Sequence, residues 1–263
     1  MADHIDQPIT VAGCRIRLMR GGSGAPLLFL HGGGGAGIWL PCMATLAKKF
    51  DVIAPEHPGF GASDTPPWLD TIADLANFYL DFLDELELSG VHLVGSSLGG
   101  WVAAELAVRN ASRLASLTLI GAAGIHVDGV AQVDPFLSSE EQRIRDLFHD
   151  PDLAEAVIAS SERPELEDAA LKNRMMTAKL SWQPRNHDPQ LRKWLHRIKL
   201  PTLLIWGEQD RLFPPAYAFA FQKLIPGSKV VVIPRCGHLP QVEQGDAFAA
   251  ELETFIGGKR IAA

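Results

Sequence analysis

Cysteine is scarce: the 263-residue chain holds 3, at Cys14, Cys42 and Cys236. An odd, widely spaced set gives no disulfide framework and none of the paired spacings that hold zinc. It suits a reducing compartment, so a cytoplasmic location is expected. Long apolar runs are also missing. None reaches the roughly 18 residues that cross a bilayer, and Met1 to Thr10 lacks the basic-then-apolar pattern of a secretory signal. Neither membrane association nor export is expected. An excess of positive charge is absent too. Lys and Arg number 24 against 31 Asp and Glu, a net charge of -7, which argues against a nucleic-acid or anionic-lipid partner. The histidines show no spacing for a metal, and no cofactor is expected. Repeats and low-complexity segments are missing as well. What remains is a chain that is 47% hydrophobic and 21% charged, enough for one large core with an inserted subdomain. A small-molecule substrate is the expected partner, and a monomer or homodimer fits equally.

The chain is organised around Val91 to Trp101. The apolar run Val91 to Val94 reads as a buried strand, and the small apolar residues from Trp101 to Val108 read as a helix. Between them, Gly95-Ser96-Ser97-Leu98-Gly99 fits G-x-S-x-G, the turn that lifts a nucleophilic serine above a sheet edge. Further strands are expected at Leu27 to Leu30, Val52 to Ala54, Leu117 to Ile120, Thr202 to Gly207 and Val230 to Ile233. Ile9 to Arg20 reads as a hairpin about Ala12-Gly13. Helices are expected over Trp39 to Lys49, after a Thr71 N-cap with Asp74 three residues on, over Pro215 to Leu224, and over Asp246 to Ile256. From Asp134 to Arg197 the pattern is charged, proline-punctuated and helical, without a clear strand. The division expected is a core over 1–124 and 198–263 and a helical cap over 125–197. Alternating strands and helices predict an α/β fold with a mostly parallel sheet covered on both faces.

Serine needs a base to take its proton, and the base needs an orienting partner. His238 follows the last strand, and Asp210 follows the strand Leu203 to Trp206. Glu208, and Asp128 after the preceding strand, are substitute acids. An acyl-transfer oxyanion needs two amide donors. Leu98, next after the serine, supplies one, and the loop Gly32 to Gly35 supplies the other, with Gly33 the expected donor. His31 braces this loop by hydrogen bonding. A different class is also readable: Gly32, Gly34 and Gly37 satisfy G-x-G-x-x-G, with Glu56 where a ribose-binding acid would sit. That dinucleotide-dependent oxidoreductase leaves Ser97, Asp210 and His238 unexplained.

These residues, His31-Gly32-Gly33-Gly34, His57-Pro58-Gly59-Phe60-Gly61-Ala62-Ser63, Gly95 to Gly100, Gly207-Glu208-Gln209-Asp210 and Gly237-His238, resemble the α/β-hydrolase family over essentially the whole chain. The resemblance implies a mostly parallel eight-stranded sheet, an inserted helical cap, and nucleophile, acid and base in the order Ser97, Asp210, His238. The family includes carboxylesterases, lactonases, meta-cleavage-product C–C hydrolases, haloperoxidase-like enzymes, epoxide hydrolases and haloalkane dehalogenases. The last two use an aspartate nucleophile, which Ser97 argues against. The glycine loop with Trp39 looks like that of the C–C hydrolases. Those usually carry Asn where this chain has Ser96, and Trp where it has Leu239, which favours ester hydrolysis. Some family members are ligand receptors, but nothing here marks a partner surface. Candidate substrate contacts are Gly32, Trp39, Ser96, Arg174 and Leu239. Arg174 has no carboxylate at i±3 or i±4 on a helix spanning Glu165 to Leu180. It is expected either to face the cap side of the pocket or to pair with a distant carboxylate.

Overall fold

The computed structural model of the chain describes residues 4–161 and 164–258; the first three residues of the Met1 to Thr10 stretch lie outside them. The expected hairpin is longer than its alternating segment. Strands β1 (His4–Val11) and β2 (Cys14–Gly22) pair antiparallel about Ala12-Gly13. Strands β3 (Ala25–Leu30), β4 (Phe50–Pro55), β5 (Val91–Ser96), β6 (Leu114–Ile120), β7 (Thr202–Gly207) and β8 (Lys229–Ile233) follow. They form one 8-stranded sheet in the order β1-β2-β4-β3-β5-β6-β7-β8. From β4 to β8 every neighbouring pair is parallel. β5 and β7 are buried at every position, as expected of strands covered on both faces.

Helices α1 (Pro41–Leu46), α2 (Ile72–Glu85) and α3 (Leu98–Arg109) connect the first half of the sheet. The Thr71 cap is a full capping box: its side chain accepts from the Asp74 N–H, and Asp74 accepts from the Thr71 N–H. The first helix is shorter than its apolar run suggests. Leu40 is extended and Pro41 opens the helix, so Trp39 stays outside it and stacks on the His4 ring at 4.7 Å.

Between β6 and β7 lie α4 (Glu140–Leu147), α5 (Pro151–Ser161), α6 (Pro164–Ser181) and α7 (Leu191–Trp194), then a 3-10 turn, Leu195–Arg197. Ile144, Phe148, Ala154 and Ile158 give α4 and α5 a small core of their own. Helices α8 (Ala216–Leu224), α9 (Pro240–Glu243) and α10 (Gly245–Gly257) complete the chain. One large core includes residues of α2, α3 and α8, and a second includes residues of α1 and α10. Among the described residues no helix is long and apolar enough to cross a membrane.

The sheet order matters for function. β3 has β4 on one side and β5 on the other, so the chain turns off in opposite directions at their carboxyl ends. Such a switch point leaves a crevice there. The glycine loop follows β3 and Ser97 follows β5.

Candidate active site

Ser97 is a non-glycine residue at positive φ, with φ 54 and ψ -116. That conformation is strained for a side chain. It is held because the Ser97 N–H donates to the Ile120 carbonyl at 2.8 Å, and its own carbonyl accepts from Gly100, Trp101 and Ala123. The turn can be this tight only where side chains are missing. A Cβ on Gly99 would lie 2.3 Å from the His31 carbonyl oxygen, and one on Gly95 would lie 2.3 Å from that of Gly99.

Asp210 and His238 come together as expected. His238 Nδ1–H donates to Asp210 Oδ2 at 2.8 Å, and both residues are buried. The other carboxylate oxygen, Oδ1, accepts the Leu212 and Phe213 N–H groups, each at 2.9 Å. The Trp206 indole N–H in turn holds the Phe213 carbonyl at 2.8 Å. Both oxygens are therefore committed, and the imidazole is held in the Nδ1–H tautomer. His238 Nε2 has no partner among the described residues. The substitute acids lie elsewhere. Glu208 is exposed and accepts from Gln209, while the Asp128 side chain is 99% exposed beside His126.

Ser97 and His238 border one cavity of about 480 Å³ at the sheet's carboxyl edge. Gly32, Gly33, Leu98, Ser96 and Leu239 border it too. The Gly33 amide is oriented by its own peptide group. The Gly32 carbonyl accepts from His31 Nδ1–H at 2.7 Å and from the Gly35 N–H at 3.1 Å. A trans peptide is planar, so the Gly33 N–H points away from those donors. Leu98 is the first residue of α3, and its N–H has no partner within the helix. Leu98 follows Ser97 in the chain, and the glycine loop lies beside it, a Cβ on Gly32 falling 3.1 Å from that of Ser97. Ser96 faces the cavity with its hydroxyl accepting from Gln241 Nε2 at 3.0 Å.

His31 is a brace, as expected. Its Nε2 accepts the His57 N–H at 2.9 Å, and His57 Nε2–H donates to the His31 carbonyl at 2.9 Å. The Tyr79 hydroxyl donates to His57 Nδ1 at 2.5 Å. Both rings are buried and use every site of their neutral forms. Burial pushes His31 down to about 4 and lowers His57 well below the ordinary histidine range.

One expectation needs correction, and two open readings can be placed. Trp39 stacks on His4 and does not border the cavity. Glu56, the would-be ribose acid, is buried behind its loop, accepts the Ala62 N–H at 2.7 Å, and is likewise absent from the cavity wall. Arg174 borders the cavity, but its side chain is 44% exposed and reaches Glu140 and the Ser138 carbonyl, each at 3.4 Å. Arg174 thus meets both alternatives in part: it borders the cavity and pairs with a distant carboxylate. Asn173, Thr177 and Ser181 border the cavity too, a polar i, i+4 stripe that sequence reasoning missed although the spacing was visible. Asn173 Nδ2 donates to the Gly34 carbonyl at 2.9 Å, and its Oδ1 accepts the Gly61 N–H at 2.8 Å. The Thr177 hydroxyl donates to the Gly33 carbonyl at 2.9 Å. The insertion also grips the histidine loop: His238 N–H donates to the Leu147 carbonyl at 2.7 Å, and Glu243 accepts N–H groups of His149, Asp150 and Gly237.

Residues 27–251 match the model of the alpha/beta hydrolase family. The chain is 33% identical to the dihydrolipoyllysine-residue acetyltransferase component of the acetoin cleaving system of Cupriavidus necator, over 94% of this chain and 68% of that one. It is 30% identical to a 2-hydroxymuconate semialdehyde hydrolase of Pseudomonas sp. (strain CF600), over 96% of this chain and 94% of that one. Among solved structures it is similar to a membrane phospholipase A described as a bacterial virulence factor, with TM-score 0.82 and 26% identity, over 98% of this chain and 87% of that one.

Proposed function

The chain belongs to the alpha/beta hydrolase family, and from that premise we propose that it is a serine hydrolase that cleaves carboxylic esters of small or medium organic molecules. The observation that carries this is the buried Asp210–His238 pair, whose Nε2, without a partner among the described residues, belongs to a residue bordering the same cavity as Ser97. His238 Nε2 takes the Ser97 proton as the serine oxygen attacks the acyl carbonyl, and Asp210 stabilises the imidazolium that forms. The Gly33 and Leu98 N–H groups receive the carbonyl oxygen as it becomes an oxyanion. Collapse expels the alcohol, which takes the proton from His238. Water then repeats the sequence against the acyl-enzyme and releases the acid. Residues 125–197 act as a cap over this cavity, and a small-molecule substrate is the only partner the reaction requires.

Ester cleavage is favoured by the neighbours of the reacting groups, since Ser96 and Leu239 are small or apolar; the cap arginines Arg143 and Arg174 share one carboxylate, Glu140. A second reading, hydrolysis of a C–C bond in a meta-cleavage product, is supported by the similarity to the 2-hydroxymuconate semialdehyde hydrolase over nearly its whole length. One panel separates them: p-nitrophenyl esters of graded acyl length beside a dienone-type C–C substrate. A fluorophosphonate should label wild type at Ser97, and Ser97→Ala should lose turnover by a factor on the order of 10⁶, the size seen in subtilisin. Label elsewhere, or activity retained in Ser97→Ala, refutes the nucleophile. Turnover of the dienone with inert esters would replace the first reading with the second. In that case Arg174→Met should slow carboxylate-bearing substrates about 10-fold and leave short neutral esters unchanged.

A further inference from the structure

We infer that Asn173 and Thr177 of the inserted helix α6 are positioning residues for the glycine loop, so that the Gly33 amide is aimed at the reacting oxygen by the insertion as well as by the core. The inference rests on the serine-hydrolase reading of the site.

The hydrogen bonds form a relay through two peptide groups. Asn173 Nδ2–H donates to the Gly34 carbonyl at 2.9 Å. The N–H of that same peptide group belongs to Gly35 and donates to the Gly32 carbonyl at 3.1 Å. The N–H of that next peptide group is Gly33's, the candidate oxyanion donor. Each planar unit passes orientation on, because fixing a carbonyl fixes the N–H on its opposite side. Chains of this kind also polarise one another. Thr177 holds the remaining link: its hydroxyl donates to the Gly33 carbonyl at 2.9 Å, which fixes the Gly33–Gly34 peptide.

Asn173 can play this part in one orientation only. It is buried, and its Oδ1 accepts the Gly61 N–H at 2.8 Å. An amide facing an N–H on one side and a carbonyl on the other has a fixed flip. Its two bonds tie the loop after β3 to the loop after β4. The approach is close enough to explain two of the glycines. A Cβ on Gly33 would lie 2.8 Å from the Thr177 side chain, and a Cβ on Gly35 would lie 2.4 Å from Asn173 Nδ2. At these two positions the loop lacks side chains because a helix rests on it.

The test uses p-nitrophenyl acetate and the variants Asn173→Leu, Thr177→Val and Thr177→Ser. Three quantities are measured: kcat and KM separately, the inhibition constant of an alkyl trifluoromethyl ketone, and Tm. The ketone adds Ser97 Oγ to its carbonyl carbon, the serine proton passes to His238, and the carbonyl oxygen becomes an oxyanion in the hole. The acetate is small, so direct contact with α6 is minimised. Asn173→Leu and Thr177→Val should each lower kcat about 10-fold or more, as misplacement of a donor does. KM should stay within about 2-fold, and the ketone should weaken by the same factor as kcat. Thr177→Ser keeps the hydroxyl and should behave as wild type. Folded Asn173→Leu and Thr177→Val with unchanged kcat and inhibition would overturn the inference. So would a Thr177→Ser variant as impaired as Thr177→Val, since the methyl group and not the hydroxyl would then matter. If Asn173→Leu does not fold, the Val and Ser pair at 177 decides alone. A wild-type enzyme that neither binds the ketone nor labels at Ser97 refutes the serine-hydrolase reading instead.

Discussion

Acid should weaken this fold through His31, and the amount can be worked out. His31 is neutral, with Nδ1–H given to the Gly32 carbonyl and Nε2 taken by the His57 N–H. A proton added at Nε2 would put two donors face to face inside an apolar wall. Burial therefore holds His31 at about 4 against 6.5 for the free side chain. The folded-state value is depressed, so the unfolded chain binds more protons between these two values, and stability falls as pH drops through that window. Linkage gives a loss of about 2 kcal/mol between pH 7 and pH 5, and about 3 kcal/mol by pH 4, from His31 alone. His57 is depressed by burial and by the cost of charging it beside the His31 ring, and adds to the loss. Glu56 is raised by burial and works in the opposite direction. The assay is urea unfolding at pH 7 and pH 5 for wild type and His31→Gln, which removes the titrating ring. The variant should be less stable at pH 7, and its stability should drop about 2 kcal/mol less than wild type's on going to pH 5. The His31 ring resonance in NMR should also stay in its neutral position at pH 5. Parallel pH dependences for the two proteins, or a ring that charges at pH 5, would refute the argument.

Asp210→Asn should fold normally and lose about 10⁴-fold in kcat, as the equivalent serine-protease change does. Asp210 Oδ1 accepts two N–H groups, so an asparagine must keep its oxygen there and turn its NH2 toward His238 Nδ1, which forces the proton to Nε2; wild-type kcat in this variant would disprove the pairing. Gly35→Ala should cost about 2 kcal/mol in urea unfolding, because its φ of +91 and the Asn173 side chain both oppose a Cβ, whereas Gly34→Ala, with open space around it, should be nearly neutral. The cysteines should be inert to a disulfide reagent such as DTNB at pH 8 in the folded protein and react fully in urea. All three are buried, burial pushes Cys42 up to about 12, and it raises Cys14 and Cys236 as well.

The parts of the site that were legible in the sequence are those whose reasons are local. G-x-S-x-G between a strand and a helix describes one turn, and the steric reason for Gly95 and Gly99 lies within a few residues of Ser97 or in the adjoining strand end. Asp210 and His238 each follow a buried strand, so strand assignment alone carries them to the same edge of the sheet. The stacking of Trp39 was not legible because its partner, His4, lies 35 positions earlier in β1 and no spacing reveals it. The same limit hid Asn173 and Thr177. Their hydrogen bonds to Gly34 and Gly33 span 139 and 144 residues. On α6, Arg174 stands out in the sequence because it has no carboxylate at i±3 or i±4. Its partner comes from α4, Glu140, and exposed pairs of this kind contribute only about 0–1 kcal/mol.

Beside side-chain pairs such as Lys179–Asp70, the insertion sends a set of polar contacts to loop backbone. α6 donates to carbonyls of the glycine loop, Lys172 Nζ donates to the Gly61 and Ser63 carbonyls, and Lys179 Nζ to that of Leu69. At the opposite side, the end of α4 holds the His238 N–H. Side chains of the core could brace these loops only from beneath, because the sheet ends there. Above the sheet edge, loops that carry glycine for close approach also carry no side chains to fix one another. Donors from the insertion supply that missing order. In the serine-hydrolase reading, a substitution at Asn173 or Thr177, which bond to loop backbone, should therefore act on kcat for every substrate. One at Ala169 or Ala170, which border the same cavity, should act on selectivity among them. Two sets of residues on one helix would then be separable by kinetics alone, and a scan in which both sets changed only KM would contradict this division of labour.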